Sequence, residues 1–302
     1  MQSREFISRG KVFFRDLRKG NAKYKTEIKT EMGISFPVMD KVMPELLLNG
    51  PLKSTTTKKL LINPNYQSFA GVYISKDSID ISVIDFSGRE IRFETKNFGL
   101  EMSFFETLRE VLNLDSSIMA VSICSDTYFD YNGIAKISDY FCIDNKLIKE
   151  YVPEEIEYYF EKTCVTNSFK WYDDAESDEL NVIFSFFEDD SYYTIMKNGV
   201  IVQKRRYLKS LKTINEFYEN IVFPVWQTIN PDNMIFIAPS EDIFDFIKYN
   251  IPVWSEKIKR SDMVLNQCFE IRKTTKLIVQ KQIHPSIAAA IYAMYRYYGW
   301  TK

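Results

Sequence analysis

Glycine and proline are scarce, ten each in 302 residues, and histidine occurs once. A chain this poor in glycine has little from which to build the glycine-rich backbone nests that cradle phosphates. Cysteine occurs four times, at Cys124, Cys142, Cys164 and Cys268, with no close pair among them. With His284 as the single histidine, no metal-ligand set of the usual spacing can be assembled, so no metal is expected. Four scattered thiols read as buried free cysteines of a reducing compartment. Long apolar runs are missing too: stretches such as 287–295 fall far short of the ~20 residues that span a bilayer. Residues 1–20 are broken by Arg4, Glu5, Arg9, Lys11, Arg15, Asp16 and Arg18, which excludes a signal-peptide pattern. These absences predict a cytoplasmic chain with no cofactor and no membrane association.

What is present is aromatic: 23 Phe, 19 Tyr and four Trp, 15% of the chain, against ordinary totals of 45% hydrophobic and 26% charged residues. That composition predicts well-packed cores, and the length suits about two domains at roughly 150 residues each. The net charge of −2 hides a split. Residues 1–59 hold thirteen Lys/Arg against six Asp/Glu, an excess of seven positive charges, while the remainder carries nine more negative charges than positive. A basic end on an acidic body is the pattern of a chain whose one end meets a polyanion.

The local patterns in that basic end are specific. Residues 6–19 predict one amphipathic helix on Phe6, Val12, Phe13 and Leu17, closed by Gly20. A second helix is expected at 25–32, a tight connector at Gly33-Ile34, and a third helix with Ser35 as N-cap and Pro37 in its first turn. Its expected apolar stripe is Val38, Val42, Leu46 and Leu47, with a kink at Pro44. Residues 53–57 and 59–62 predict a β-ribbon, and Asn63-Pro64-Asn65 a linker. Helix, glycine turn, helix and ribbon make the plan of a winged helix-turn-helix, whose last helix presents its start to base edges of duplex DNA. Phe36, Asp40 and Lys41 lie off that stripe and are the base-facing candidates, with Ser35 and Pro37 of the helix start counted in the same DNA-binding set. Lys25 and Thr26 open the helix before the turn, where free N–H groups and a cation can hold a phosphate. Lys53, Thr55, Lys58 and Lys59 would carry the wing along the backbone.

From Phe69 the pattern alternates with period two. Strands are expected at 69–74, 79–85 and 90–95, then a helix at 103–112, a strand at 117–124 and a helix at 153–163. A second meander is expected at 180–187, 192–196 and 200–205, with Asn198-Gly199 as its hairpin turn, then a helix at 213–226, a strand at 234–238 and a helix at 242–249. The order meander, helix, strand thus occurs twice, predicting two related α/β lobes, before a strong terminal helix at 285–298 with a close-packing face at Ala288-Ala289-Ala290.

These residues carry a resemblance. The segment Thr26-Glu27-Ile28-Lys29-Thr30-Glu31-Met32-Gly33-Ile34-Ser35-Phe36-Pro37, continued by 45–50, is similar to the helix-turn-helix of repressors of the ROK family (repressors, open reading frames and kinases). Gly71–Ile79 with 83–88 resembles the opening meander of the family's sugar-kinase-like module, and 285–291 its closing helix. The resemblance implies a mixed α/β chain in three parts: a winged helix-turn-helix over 1–65, a first actin-like lobe over 66–165 with the helix 285–302 packed back on it, and a second lobe over 166–284. It implies a homodimer, an operator in double-stranded DNA, and a sugar or sugar-derivative effector, with Ser125, Asp126 and Asn167 where family members line their ligand cleft.

The departures from the family are chemical. Kinases of the family begin with an Asp-x-Gly-Gly-Thr phosphate loop; here the stretch reads Tyr73-Ile74-Ser75-Lys76-Asp77. Their catalytic base follows an asparagine, whereas Asn167 is followed by Ser168, and the second glycine-rich motif is replaced by Phe184-Ser185-Phe186-Phe187. Without nest, base or metal clamp nothing holds a transferring phosphoryl group, so no enzyme activity is expected. The acidic runs at 173–179 and 188–190 lack calcium-loop spacing and read as solvated loops. The alternatives are an actin-like scaffold that binds protein rather than DNA and, more remotely, a sugar kinase.

Overall fold

The computed structural model describes residues 3–75, 78–97, 102–114, 117–125, 134–136, 142–175, 178–186, 190–208, 214–266 and 274–301. They fall into two compact units, Met1–Asp174 with His284–Lys302, and Ala175–Ile283.

The first unit opens with two helices, α1 (Ser3–Arg9) and α2 (Lys11–Arg18), where a single helix was expected. The break is Gly10. Its N–H is shared by the carbonyls of Phe6 and Ile7, and a side chain there would crowd Met32 and Phe14, each 3.1 Å from an added Cβ. The buried face is Phe6, Ile7, Phe13, Phe14 and Leu17, while Val12, assigned to the apolar face, is exposed. Next come β1 (Lys23–Tyr24), α3 (Lys25–Met32), α4 (Phe36–Leu47), β2 (Leu52–Ser54) and β3 (Lys59–Ile62), the strands pairing antiparallel in the order β1-β3-β2.

The body of the unit is a five-stranded sheet. Its strands are β4 (Ser68–Ile74), β5 (Ser78–Asp85), β6 (Glu90–Asn97) and, after α5 (Met102–Leu114), β7 (Ile118–Ser125). A small ribbon β8 (Ile134–Lys136)–β9 (Cys142–Asp144) and α6 (Asn145–Tyr151) precede β10 (Glu157–Lys162), and the order is β10-β7-β4-β5-β6. The segment 153–163, expected to be a helix, is therefore mostly strand. Its Pro-Glu-Glu opening imitates a helix start, but Tyr158 and Phe160 pack on the sheet core while the backbone pairs in parallel with β7, Glu157 opposite Ala120.

Helix α7 (Thr163–Asp174) follows and lies whole in this unit, where the expected lobe boundary at 165/166 would have cut it. It packs against the terminal helix, as Phe169 against Tyr292 at 5.0 Å between ring centroids shows.

The second unit repeats the plan with β11 (Asn181–Phe186), β12 (Asp190–Lys197) and β13 (Val200–Leu208). Then α8 (Ile214–Phe217) runs through a π-helical turn into α9 (Phe223–Ile229), followed by β14 (Asn233–Ala238), α10 (Glu241–Asn266) and β15 (Lys276–Lys281). The sheet order is β13-β12-β11-β14-β15, around a core that includes Phe184, Phe217, Trp226, Phe236 and Trp254. Helix α10 runs 17 residues past its expected end at 249, carrying Pro252 inside it.

The chain then returns to the first unit with α11 (Pro285–Tyr297), which lies on that unit's sheet. Gly71 of β4 makes this possible: a Cβ there would lie 1.9 Å from the Ser286 carbonyl oxygen and 2.3 Å from the Ala290 nitrogen. Ala288, Ala289 and Ala290 are fully buried, so helix and sheet approach backbone to backbone.

Candidate nucleic-acid interface

Helix α3 begins with the Tyr24 N–H donating to the Glu27 carboxylate at 2.5 Å, while the Tyr24 side chain makes no capping bond. It ends at Gly33, whose φ of 63° is the left-handed conformation that favours glycine. The chain turns through Ile34 and Ser35, and α4 starts with Pro37 in its first turn. Ser35 occupies the N-cap position with extended backbone, but its side chain makes no capping bond.

The buried stripe of α4 is Met39, Val42, Met43 and Leu46, an i, i+3, i+4, i+7 pattern. This corrects the expected stripe: Val38 is 44% and Leu47 39% exposed. The helix is therefore rolled from its expected setting, and Pro37, Lys41, Pro44 and Leu48 share the face opposite the core. Phe36 is also exposed, with the Lys29 ammonium 4.1 Å from its ring centroid.

At the ribbon tip, the Thr55 N–H donates to the Lys59 carbonyl at 2.8 Å, the Lys58 N–H to the Thr55 carbonyl at 3.0 Å, and the Lys59 N–H to Thr55 Oγ1 at 3.0 Å. The Thr55 hydroxyl is thus engaged in holding the turn. Lys58 takes φ 60°, a conformation that costs a side-chain-bearing residue about 1 kcal/mol or more. Lys59 lies over the Tyr24 ring at 5.0 Å.

Most of the basic excess of residues 1–59 is tied to other work. Arg4 donates to the Tyr297 carbonyl at 3.0 and 2.5 Å and pairs with Glu157 at 2.8 Å. Burial opposes its charge, but the bond to Glu157 prevails and raises its pKa. Lys11 and Arg15 lie over the Tyr172 ring at 4.7 and 4.9 Å. Arg18 grips Asp173, and Lys23 holds Asp16 and Glu31 at 2.7 and 2.6 Å. Lys25 pairs with Asp40. Lys41, Lys53 and Lys58 remain, exposed and without an ion-pair partner among the described residues.

Between α4 and the ribbon runs a groove of about 560 Å³. Lys25 and Thr26 from the start of α3 and Ser54 and Lys58 from the ribbon line it, and Pro44, Leu47 and Leu60 are part of its apolar lining. The groove unites Lys25, Thr26, Asp40 and Lys58 of the expected residues and adds Tyr24 and Ser54, which no local pattern singled out, and Leu47, which was expected in the buried stripe. Lys53, Thr55, Lys59 and the first turn of α4 lie outside its lining.

Of the residues expected at a ligand cleft, Ser125 ends β7 and is 1% exposed, and Asn167 is 3% exposed inside α7. Both side-chain polar atoms of Asn167 lack a hydrogen-bond partner among the described residues. Asp126 lies outside the described residues, as do Lys76 and Asp77 of the stretch aligned with the phosphate loop. Ser75 closes the β4–β5 turn, bonding the Ser78 hydroxyl at 2.9 Å. Among the described residues no group of three His, Cys, Asp or Glu could hold a metal ion, and no helix is long and apolar enough to cross a membrane.

Two lobes, each with a five-stranded sheet led by an antiparallel meander, define the actin-like, sugar-kinase-like class of fold. Comparison with solved structures places that fold among ROK proteins. The chain is similar to a ROK family transcriptional regulator, a homolog of the Escherichia coli Mlc protein, with TM-score 0.66 and 10% identity over 98% of this chain and 97% of that one. It is also similar to a ROK hexokinase from Thermus thermophilus (TM-score 0.53, 8% identity, 76% of this chain and 99% of that one). A ROK family protein from Streptococcus pneumoniae in complex with sucrose matches at TM-score 0.54 and 8% identity, over 78% of this chain and 100% of that one. No family model and no curated protein matches the sequence.

Proposed function

We propose that the chain is a cytoplasmic ROK-type transcriptional regulator, repressor-like, that binds double-stranded DNA through α3, α4 and the ribbon. The supporting observation is one surface: a glycine-turned helix pair beside a ribbon, carrying Lys41, Lys53 and Lys58 exposed and unpaired among the described residues. The extent of the similarities agrees. The regulator is matched by nearly all of this chain, whereas the ROK hexokinase and the sucrose-bound ROK protein are matched almost whole by about three quarters of it.

The body then serves as an effector and dimerisation module, with a sugar or sugar derivative as its ligand and a two-fold operator whose half-sites lie about one or two turns apart. Lys53→Ala with Lys58→Ala is expected to weaken binding to all duplexes alike. The plot of log affinity against log salt should flatten by about 0.9 for each phosphate no longer neutralised. Lys41→Ala should instead cost about 1–3 kcal/mol at one base position of a selected operator. Fluorescence anisotropy across a salt series measures both, and unchanged slopes in the double variant would remove the ribbon from the interface.

The kinase reading lacks its chemistry. Ser75 and Phe184-Ser185-Phe186 stand where phosphate loops would be, and Ser168, whose hydroxyl donates to the Cys164 carbonyl at 2.7 Å, stands where the base would be. A coupled ATPase assay over hexoses and amino sugars is expected to show turnover below roughly 0.1 per second, a tenth of the low end for typical enzymes. One observation favours a protein partner instead: the outward face of α4 pairs Lys41 with Pro37, Pro44 and Leu48, the last 77% exposed. Association with duplex DNA that is absent or insensitive to salt would select that reading.

A further inference from the structure

We infer that the free edge of β6 is a dimerisation surface, on which two copies of this chain pair antiparallel about a two-fold axis at Phe93. The inference rests on the dimerisation part of the proposed function, not on DNA binding, and adds where the copies meet. Among the described residues the first sheet ends at β6, so one row of its backbone N–H and C=O groups has no strand beside it. An edge of eight residues is a template for a further strand, and such edges are ordinarily short, covered or charged. This one exposes two large apolar side chains, Ile91 at 54% and Phe93 at 47%. Phe93 is propped in place, its ring meeting that of His284 edge to face at 4.8 Å between centroids.

The charges on the strand decide what pairs there. Arg92, Glu94 and Lys96 share the face toward α5, where Lys96 bonds Glu110 at 3.0 Å, and Phe93 lies on the other face with His284. An antiparallel two-fold pair sets residues of one face opposite each other, so its axis falls on a residue. An axis on Arg92 or on Glu94 would oppose like charges at its centre. An axis on Phe93 sets Arg92 of each copy opposite Glu94 of the other, brings the two phenyl rings together and leaves Lys96 with Glu110. An axis on Thr95 would pair Glu94 with Lys96, but it would draw Lys96 from Glu110 and leave Phe93 facing Asn97. Within one copy Arg92 Nε already donates to Glu94 Oε1 at 2.7 Å, so pairing merges two such couples into a ring of four alternating charges. That self-complementarity selects a second copy of this chain as the occupant. A bulge, where Val83 faces Arg92 but Ile84 faces Glu90, keeps the regular run short, so the dimer is expected to be weak.

Exchange of the charges tests this in the absence of DNA. Sedimentation velocity of the full chain, from micromolar to submillimolar concentration, reads the equilibrium between monomer and dimer. Arg92→Glu and Glu94→Arg are each expected to weaken the dimer about ten-fold or more, since each sets like charges across the axis. Mixed in equal amounts, the two variants are expected to associate with each other, because every carboxylate then faces a guanidinium. That recovery cannot come from repair of the fold, since the couple within each strand stays like-charged. A dimer that survives both substitutions lies elsewhere, and the inference falls alone. Loss in both without recovery on mixing, in variants that melt as wild type does, overturns it as well. Should melting fall, the chain carrying Arg92→Glu with Glu94→Arg keeps every couple, and it must dimerise as wild type does or the inference fails. Dissociation by Glu94→Arg alone would move the axis to Thr95 and overturn the register. A wild type that stays monomeric leaves the edge to another protein's strand or to none; the dimer reading and the inference then fall together, while anisotropy on duplex DNA still judges DNA binding.

Discussion

Arg18→Ala is expected to destabilise the first unit by about 3–5 kcal/mol, the cost of leaving one member of a buried ion pair alone. Arg18 Nη1 and Nη2 reach Asp173 Oδ1 and Oδ2 at 2.6 and 3.0 Å, and the two side chains are 4% and 11% exposed. The Tyr295 hydroxyl donates to the same carboxylate at 2.9 Å, so α2, α7 and α11 meet at one charge. Burial, with Asp173 next to it, drives the Tyr295 hydroxyl well above its usual pKa and keeps it a donor. Gly88 completes the enclosure, since a Cβ there would lie 2.3 Å from Arg18 Nη2.

Removing the guanidinium strands the carboxylate where water cannot replace it. Arg18→Met with Asp173→Asn removes both charges, leaves an oxygen for Tyr295, and should recover most of the stability. Urea unfolding followed by tryptophan fluorescence measures this, with Trp171 and Trp300 in the first unit. A single variant within about 1 kcal/mol of wild type, the range of an exposed pair, would show that the pair is hydrated.

Gly71→Ala is expected to cost about 3 kcal/mol or more, the upper range for overpacking. Glycine to alanine in a strand ordinarily stabilises, because it restricts the unfolded chain. Here the sign reverses, because the added Cβ meets the Ser286 oxygen, the Ala290 nitrogen and the Ala289 carbonyl carbon, the last at 2.9 Å. All three are backbone atoms in a helix that lies on the sheet, so no side-chain rotation relieves them. For a unit of this size the cost corresponds to a fall in melting temperature of about 6–12 °C. A fall below about 2 °C would mean that α11 can ride up on the sheet.

The parts of the structure that were legible in the sequence are those set by local chemistry. Gly33, Ser35 and Pro37 mark the turn and helix start through backbone preferences that act within four residues, and the two meanders announce themselves by alternation. What failed depended on distant partners. Residues 153–163 carry helix-opening residues yet become β10 because β7 offers a parallel edge. Helix α7 was not foreseen, since Thr163, Thr166, Asn167 and Ser168 are polar and nearly all buried, which erases the amphipathic signal.

The basic excess was visible, but its meaning was divided. Arg4, Lys11, Arg15 and Arg18 act on Glu157, Tyr172, Asp173 and Tyr297, all more than a hundred residues away. The groove was invisible for the same reason, because its lining comes from α3, from α4 and from a ribbon some thirty residues after the start of α3.

The first unit is built from two separate stretches, with Ala175–Ile283 made between them. During synthesis the N-terminal helices and the sheet leave the ribosome without α11, the face of Gly71 open and Phe69, which packs on Tyr297 and Tyr298, unprotected. The bonds that hold α1, from the Trp300 Nε1–H to the Ile7 carbonyl at 3.0 Å and from Arg4 to the Tyr297 carbonyl, come from residues translated far later. The helices α1 to α4 and the ribbon are made before the sheet, yet these bonds, which tie α1 to the rest of the unit, form only after residues 297 and 300 are made. A chain released before residue 285 would present α1 without these bonds, beside an uncovered sheet face that invites chaperones and proteases.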